Sequence, residues 1–281
     1  SRLANGKDAA SARYIYTDTR KIVPLLFPDA DEPVLARALD DDRNPVEPLH
    51  YAPLLPMVLV NGANGIGTGF STNVPKHDPR ALADAYLRML DGHPPPHDLA
   101  PWYRGFTGDV LERDGRWVSR GVFKKTASTV EIHELPVGTW TSDYLSFLEE
   151  KSGAKRIEAH HTEAVVRIVL HYDPAVLRNM DVEADLRLVS DKGLSVNNMY
   201  LFDAHGTIRL YPSVADIAEE HFRERVRVYH LRKEHEIKDL GAKAAILTTK
   251  ALFVGDVIHG DLVLNKAQEG TLEDHGDARG W

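Results

Sequence analysis

Cysteine is absent from this chain of 281 residues. That excludes a disulfide framework, an iron–sulfur cluster, a cysteine-ligated zinc site and a cysteine nucleophile. Long apolar runs are missing as well, and no segment approaches the roughly 18–20 residues that a membrane-spanning helix needs. No apolar stretch of the kind a secretory signal requires follows Ser1-Arg2-Leu3. The chain does not open on methionine, so it reads as a piece of something longer. Positive charge is in deficit: 34 Lys and Arg stand against 42 Asp and Glu, a net charge of −8. Taken over the whole chain, that balance speaks mildly against a nucleic-acid partner. What is present is ordinary for a globular protein, with 43% hydrophobic and 27% charged residues. At roughly 150 residues per domain, the length suggests about two domains.

Along the chain, the first 20 residues are small and polar, with Arg2, Lys7, Arg13 and Arg20 embedded among them. An amphipathic stretch over residues 21–28 follows, and then an acidic turn at Asp40, Asp41 and Asp42. The apolar run 54–60 ends at Asn61-Gly62, and its Met57 to Val60 part reads as a buried strand entering a tight turn. Residues 78–90 predict a helix, with Asp78 as N-cap and Pro79 at the first helical position. The prolines of residues 93–97 form a stiff linker and a candidate boundary. Beyond it, from about residue 102 to 211, the pattern is mixed and strand-rich. Residues 129–135 alternate as a half-buried strand should, residues 165–170 give another strand, and residues 141–151 a helix capped by Thr141 or Ser142. Residues 197–202 and 207–211 read as a hairpin across Asp203-Ala-His-Gly206. From Val214 to about Leu252 the pattern is one long helix. Its face bearing Arg223, Arg225, Arg227, Arg232 and Lys233 reads equally well as solvated or as a binding surface. The tail over residues 270–281 is polar.

Two segments could carry chemistry. In the first, Arg13 directly precedes Tyr14, with Lys7 and Ser11 nearby. A tyrosine can be a covalent nucleophile once cations, a metal or a base favour its phenolate. An adjacent arginine can fork onto a phosphate under attack. The plain alternative is a tyrosine in an ordinary strand over residues 14–17. In the second segment, residues 61–71, glycines surround Ile66. This is no Walker A loop, since no Gly-Lys-Ser/Thr follows. A lone apolar side chain on such a tip can wedge between base steps, or it can simply pack inward. The 14 histidines include a cluster with Glu158, His160, His161 and Glu163, yet none matches a helix-borne metal motif, and no metal site is expected of this chain.

Set side by side, these segments resemble the type IIA DNA topoisomerases of the eukaryotic and large-DNA-virus kind. The carrying residues are Gly6-Lys-Asp-Ala-Ala-Ser-Ala-Arg-Tyr-Ile-Tyr-Thr17, Val46-Glu-Pro48 with Tyr51, Pro56-Met-Val-Leu-Val-Asn-Gly62 and Gly65-Ile-Gly-Thr-Gly69. Further along they are Glu131-Ile-His-Glu-Leu-Pro136 with Thr139-Trp-Thr141, Asn198-Met-Tyr-Leu-Phe-Asp203 and Tyr229-His-Leu-Arg-Lys-Glu234. Any one motif is weak; the ordered set, running nearly end to end, is specific. Two departures stand out: Ala12 where the family commonly has proline, and Asn5 where a glycine is usual.

The resemblance implies an α+β fold in three parts. Residues 1–76 would be the distal part of a winged-helix domain, residues 77–213 a mixed tower domain, and residues 214–281 the start of a coiled-coil arm leading to a dimer gate. It implies that Tyr14 attacks a DNA phosphate to form a transient 5′-phosphotyrosyl break, and that Arg13 contacts the scissile phosphate. Lys7 and Ser11 would meet neighbouring phosphates, and Ile66 would intercalate and bend the duplex. Double-stranded DNA and a second copy of the chain are the implied partners, with no membrane. Mg²⁺ and ATP are the implied cofactors of the parent enzyme, each bound by a domain outside this chain. Localisation would be the nucleus, or the replication site or virion of a large DNA virus. The competing expectation is a catalytically inert module that binds and bends DNA or dimerises. The charge reading also sharpens: residues 1–21 carry five basic residues against Asp8 and Asp18, a local balance of about +3.

Overall fold

The computed structural model describes residues 2–97, 99–262 and 276. The polar tail read over residues 270–281 therefore lies outside the described residues, Gly276 apart. The chain divides into two compact units. One holds residues 1–26 and 53–224, the other residues 27–52 and 225–281. The architecture is α+β: small antiparallel sheets, short helices, and one long helix, Val214–His259.

The first unit has two apolar cores. A four-stranded antiparallel sheet builds one, in the order Val122–Lys125, Thr129–Glu134, Ile168–His171, Arg156–Ala159. Val130 and Ile132 face inward from one strand, Ile168 and Leu170 from its neighbour, and all four are fully buried. Tyr144 and Leu148, from the helix Thr141–Lys151, pack against them. The second core forms around the helix Pro79–Leu90. Its Leu82, Tyr86 and Met89 meet Leu59, Val74, Met199, Tyr211 and Ile217. The predicted cap is in place, as the Asp78 carboxylate accepts from the Arg80 amide at 2.9 Å. The hairpin Met199–Phe202 and Ile208–Tyr211 also forms as predicted, with Phe202 opposite Ile208 at its turn.

Four local readings are corrected. Met57–Asn61 is a short helix, not a strand. Pro56 supplies a fixed φ at its entry, and Gly62, at φ +69°, ends it in the left-handed region. A Cβ on Gly62 would stand 2.9 Å from the Val74 carbonyl oxygen, so the β-branched residues 58 and 60 yield to this tertiary constraint. The helix Thr141–Lys151 is as long as predicted, but neither Thr141 nor Ser142 caps it; Trp140 holds the cap position. The amides of Thr141 and Ser142 instead donate to the carbonyls of Arg2 and Leu3, at 3.2 and 3.1 Å. Residues 14–17 form no strand, because Ala12–Tyr14 is a single 3-10 turn. The strand read over residues 165–170 is Ile168–His171.

In the second unit, the chain from Phe27 to Ala52 carries a hairpin, Arg37–Leu39 with Pro45–Pro48. Asp31 from this segment is buried against the long helix. It accepts from Arg225 at 2.5 and 3.1 Å and from Arg232 at 3.3 Å. Arg225 also donates to the Ala52 carbonyl at 2.6 Å. The two guanidiniums lie 3.9 and 4.9 Å from the ring centroid of Tyr229. Arg225 is thus no member of a solvated face: its side chain is 3% exposed. Its burial is tolerated because the Asp31 carboxylate stands opposite and pairs the charge.

Candidate functional site

The N-terminal segment is a string of tight turns. The Lys7 amide donates to the Ala4 carbonyl at 3.0 Å, and that of Ala9 to Gly6 at 3.0 Å. Asn5 and Gly6 take φ of +55° and +72°. Asparagine tolerates this left-handed region better than other residues with a side chain, which accounts for Asn5 at a position where the family usually has glycine. The Tyr14 amide then closes the 3-10 turn onto the Ser11 carbonyl at 2.9 Å.

This turn lifts Tyr14 into solvent at 74% exposure. The Arg13 guanidinium lies over its ring, 5.2 Å from the centroid. Lys7 and Ser11 share the segment, and both are exposed. Tyr16 nearby is exposed as well, but the Arg13 guanidinium lies over the ring of Tyr14. Tyr86 and Tyr144 are buried, and that burial pushes their phenols far above the usual value of 10, out of use as nucleophiles. An exposed phenol beside a guanidinium is the arrangement that a phosphate under attack requires.

The root of this segment is fixed where sequence reasoning saw no role. Glu134 is 2% exposed and accepts from both terminal nitrogens of Arg2, one at 2.9 Å. The Thr107 amide and hydroxyl reach the same carboxylate at 3.2 and 3.1 Å, and the Leu135 amide at 2.9 Å. The Arg2 amide donates to the Glu163 carbonyl at 2.9 Å. The signal was in the alternation of residues 129–134: Glu134 falls on the inward face with Val130 and Ile132, where a charge needs a partner.

Ile66 stands on a separate element, the antiparallel hairpin Ala63–Ile66 and Ser71–Val74. Gly67 donates to the Phe70 carbonyl at 2.7 Å across its tip, and Gly69 takes φ +80°. Ile66 does not pack inward; it is 92% exposed. Phe70 beside it lies against Tyr200, with ring centroids 5.5 Å apart.

The histidine cluster resolves into hydrogen bonds. Glu158 holds His160 at 3.2 Å and His171 at 3.0 Å, and these contacts keep its carboxyl below the usual carboxylate range. His160 and His161 lie beyond the strand Arg156–Ala159, not within it. Among the described residues, no group of three or more His, Asp or Glu side chains could hold a metal ion. The carboxylate donors that Mg²⁺ prefers are thus not gathered by these residues. No helix among them is long and apolar enough to cross a membrane.

Comparison with known proteins places this geometry. Residues 1–275 match the family of the A-type chain of DNA gyrase/topoisomerase IV. DNA topoisomerase 2 top-2 of Caenorhabditis elegans is 38% identical over 98% of this chain and 19% of its own length. Human DNA topoisomerase 2-beta is 37% identical over 97% of the chain and 17% of its own length. The chain therefore spans about a fifth of these relatives. The crystal structure of the Plasmodium falciparum topoisomerase II DNA-binding, cleavage and re-ligation domain superimposes with a TM-score of 0.85 at 29% identity, covering 99% of this chain and 39% of that one. The exposed tyrosine turn and the glycine-tipped hairpin thus sit in a fold shared along almost the whole chain, which belongs to the DNA gyrase/topoisomerase IV family.

Proposed function

We propose that this chain is the DNA breakage–reunion part of a type II topoisomerase. The Tyr14 Oη attacks a backbone phosphorus, gives up its proton, and forms a phosphotyrosyl bond to the 5′ end of the break. The bond from phosphorus to the 3′ oxygen breaks, and that oxygen takes up a proton. Reversal reseals the strand with the bond energy conserved, so rejoining consumes no ATP at this site. Arg13 binds the scissile phosphate and steadies charge on its oxygens in the transition state. Lys7 and Ser11 hold adjacent phosphates and so fix the register of the duplex. Ile66 enters between base steps and bends the DNA, a step whose unstacking cost is offset by the wider contact that a bent duplex allows. Two copies of the chain, each cutting one strand, make a double-strand break.

Mg²⁺ and ATP belong to this reading through residues outside those described here. The metal would polarise phosphate oxygens, and ATP would drive strand passage. In domain terms, we take residues 1–76 as the distal winged-helix part, 77–213 as the tower and 214–281 as the start of the arm. The working location is wherever such a protein meets DNA, a nucleus or a viral replication site.

The observation that carries the reading is the exposed Tyr14 with Arg13 over its ring, in a chain of this family. A second reading, an inert module that binds and bends DNA, is favoured by the absence of a gathered metal-ligand group among the described residues. One assay separates them. The chain is incubated with plasmid and Mg²⁺, with and without an added metal-binding domain of a type II topoisomerase. Covalent protein–DNA complexes that depend on that domain support the first reading. Bending without covalent complexes under either condition supports the second.

A further inference from the structure

The hairpin that carries Ile66 is held by a ladder of amide side chains. Asn73, on its second strand, is the centre. The Asn73 Nδ2 donates to the Ser195 carbonyl at 2.8 Å. The Asn73 Oδ1 accepts from Asn64 Nδ2, across the hairpin, at 2.9 Å. The Asn73 amide donates to the Asn198 carbonyl at 2.8 Å. Asn198 then sends its own Nδ2 to the Ser71 hydroxyl at 2.9 Å. Ser71 is the residue paired directly across from Ile66. The ladder thus runs from residues 195–198 to the position opposite the exposed isoleucine. Its fixed end is solid, since Met199 and Leu194 beside it are fully buried.

A two-stranded hairpin alone is marginal in water. Its tip is glycine-rich, and glycine gives little resistance to deformation. A side chain that pushes bases apart must transmit the load to something rigid. An apolar wedge on a loose hairpin would fold back on itself when pressed against a stack.

We propose that Asn73 and Asn198 are positioning residues for the Ile66 wedge. They clamp the hairpin to residues 195–198, just before the strand Met199–Phe202, so that it keeps its angle while the duplex bends. This inference rests on the reading of Ile66 as a DNA wedge. Each acts through Ile66, toward which its hydrogen bonds lead.

The test uses the full-length protein in Asn73→Ala, Asn198→Ala and Ile66→Ala forms. Asn197→Ala, at the neighbouring position, is the control. Hydrogen exchange is read on peptides spanning residues 63–74, and DNA bending by energy transfer between duplex ends. Loss of two side-chain hydrogen bonds in Asn73→Ala should speed exchange in the hairpin by about tenfold, with less effect in Asn198→Ala. Bending should fall toward the Ile66→Ala level in both, while the thermal midpoint of the rest of the protein holds. Should Asn73→Ala fail to fold, Asn198→Ala, which removes only the bond to Ser71, decides. If Ile66→Ala lowers bending but both asparagine variants bend DNA as the parent does, the clamp is wrong and the wedge stands. If Ile66→Ala bends DNA normally, the wedge reading fails and the clamp with it. Unchanged exchange in the hairpin overturns the clamp whatever the bending shows.

Discussion

Arg13 holds its guanidinium over the ring of Tyr14, 5.2 Å from the centroid, on a turn that leaves both side chains in solvent. On the proposed reading, the cation waits beside the phenol until a phosphate replaces the ring as its partner. Removing the cation should therefore cost the chemical step more than it costs DNA affinity, which many phosphate contacts share. Arg13→Ala in the full-length protein should slow single-turnover cleavage by about 10²–10³-fold, as loss of one group that stabilises transition-state charge does elsewhere. Arg13→Lys should recover part of this, since a lysine keeps the charge but not the fork. Quench-flow measurement of covalent complex formation at saturating DNA is the check.

Ala12 opens the 3-10 turn where the family commonly has proline. The backbone there is already suited to proline. Ser11 sits at φ −59° and ψ 138°, the extended conformation a residue before proline must adopt. Ala12→Pro should thus be accepted without strain and stiffen the approach to Tyr14, with a gain of about 0.4–1 kcal/mol from the unfolded state. Slower proteolysis within residues 5–15 and a raised thermal midpoint would show it.

Asp31 and Arg225 form a buried ion pair, 6% and 3% exposed. Burial alone pulls the guanidinium pKa down; hydrogen bonds and attraction from Asp31 more than reverse this, and the net direction is up. Asp31→Ala leaves a buried charge without its partner, at a cost of about 3–5 kcal/mol. Asp31→Ala combined with Arg225→Met should recover much of that loss, because it removes the stranded charge as well. Chemical denaturation of the two variants beside the parent tests the order.

His77 is fully buried, and burial holds its pKa below the usual 6.5, only partly offset by the carbonyls of Leu59 and Pro75. A depressed histidine favours folding in its neutral form. Its contribution is thus complete above about pH 6.5 and lost as pH falls below that, where the unfolded chain takes up a proton that the folded one refuses. The loss is at most one proton's worth, about 1.4 kcal/mol per pH unit. His77→Gln should flatten the stability profile below about pH 6.5. Urea unfolding across that range measures it.

What was legible in the sequence was what local chemistry decides. Asp78 followed by Pro79 writes a helix start that depends on nothing distant, and Asp203-Ala-His-Gly206 writes a turn. The candidate site was legible in its residues but not in its supports. Tyr14 and Arg13 stand adjacent in the chain and adjacent in space. Glu134 and Arg2 meet across 132 positions, Asn73 and Ser195 across 122, and Arg225 and Asp31 across 194. No period or spacing encodes such pairs. Met57–Asn61 was misread for the same reason: its β-branched residues argue for a strand, and Pro56 with a glycine pressed on Val74 decides for a helix. Thr141 was misread because a carbonyl from Arg2 does the work a cap would do.

The central claim is that Tyr14 is the nucleophile. The measurement that tests it most directly is the identity of the residue that carries DNA. Full-length protein is incubated with plasmid and Mg²⁺, trapped with detergent, digested with nuclease and protease, and mapped by mass spectrometry. The expected result is a nucleotide on the peptide containing Tyr14, joined through a 5′ phosphate, and no adduct in Tyr14→Phe, which should still bind DNA. An adduct on another residue, or one that persists in Tyr14→Phe, would contradict it.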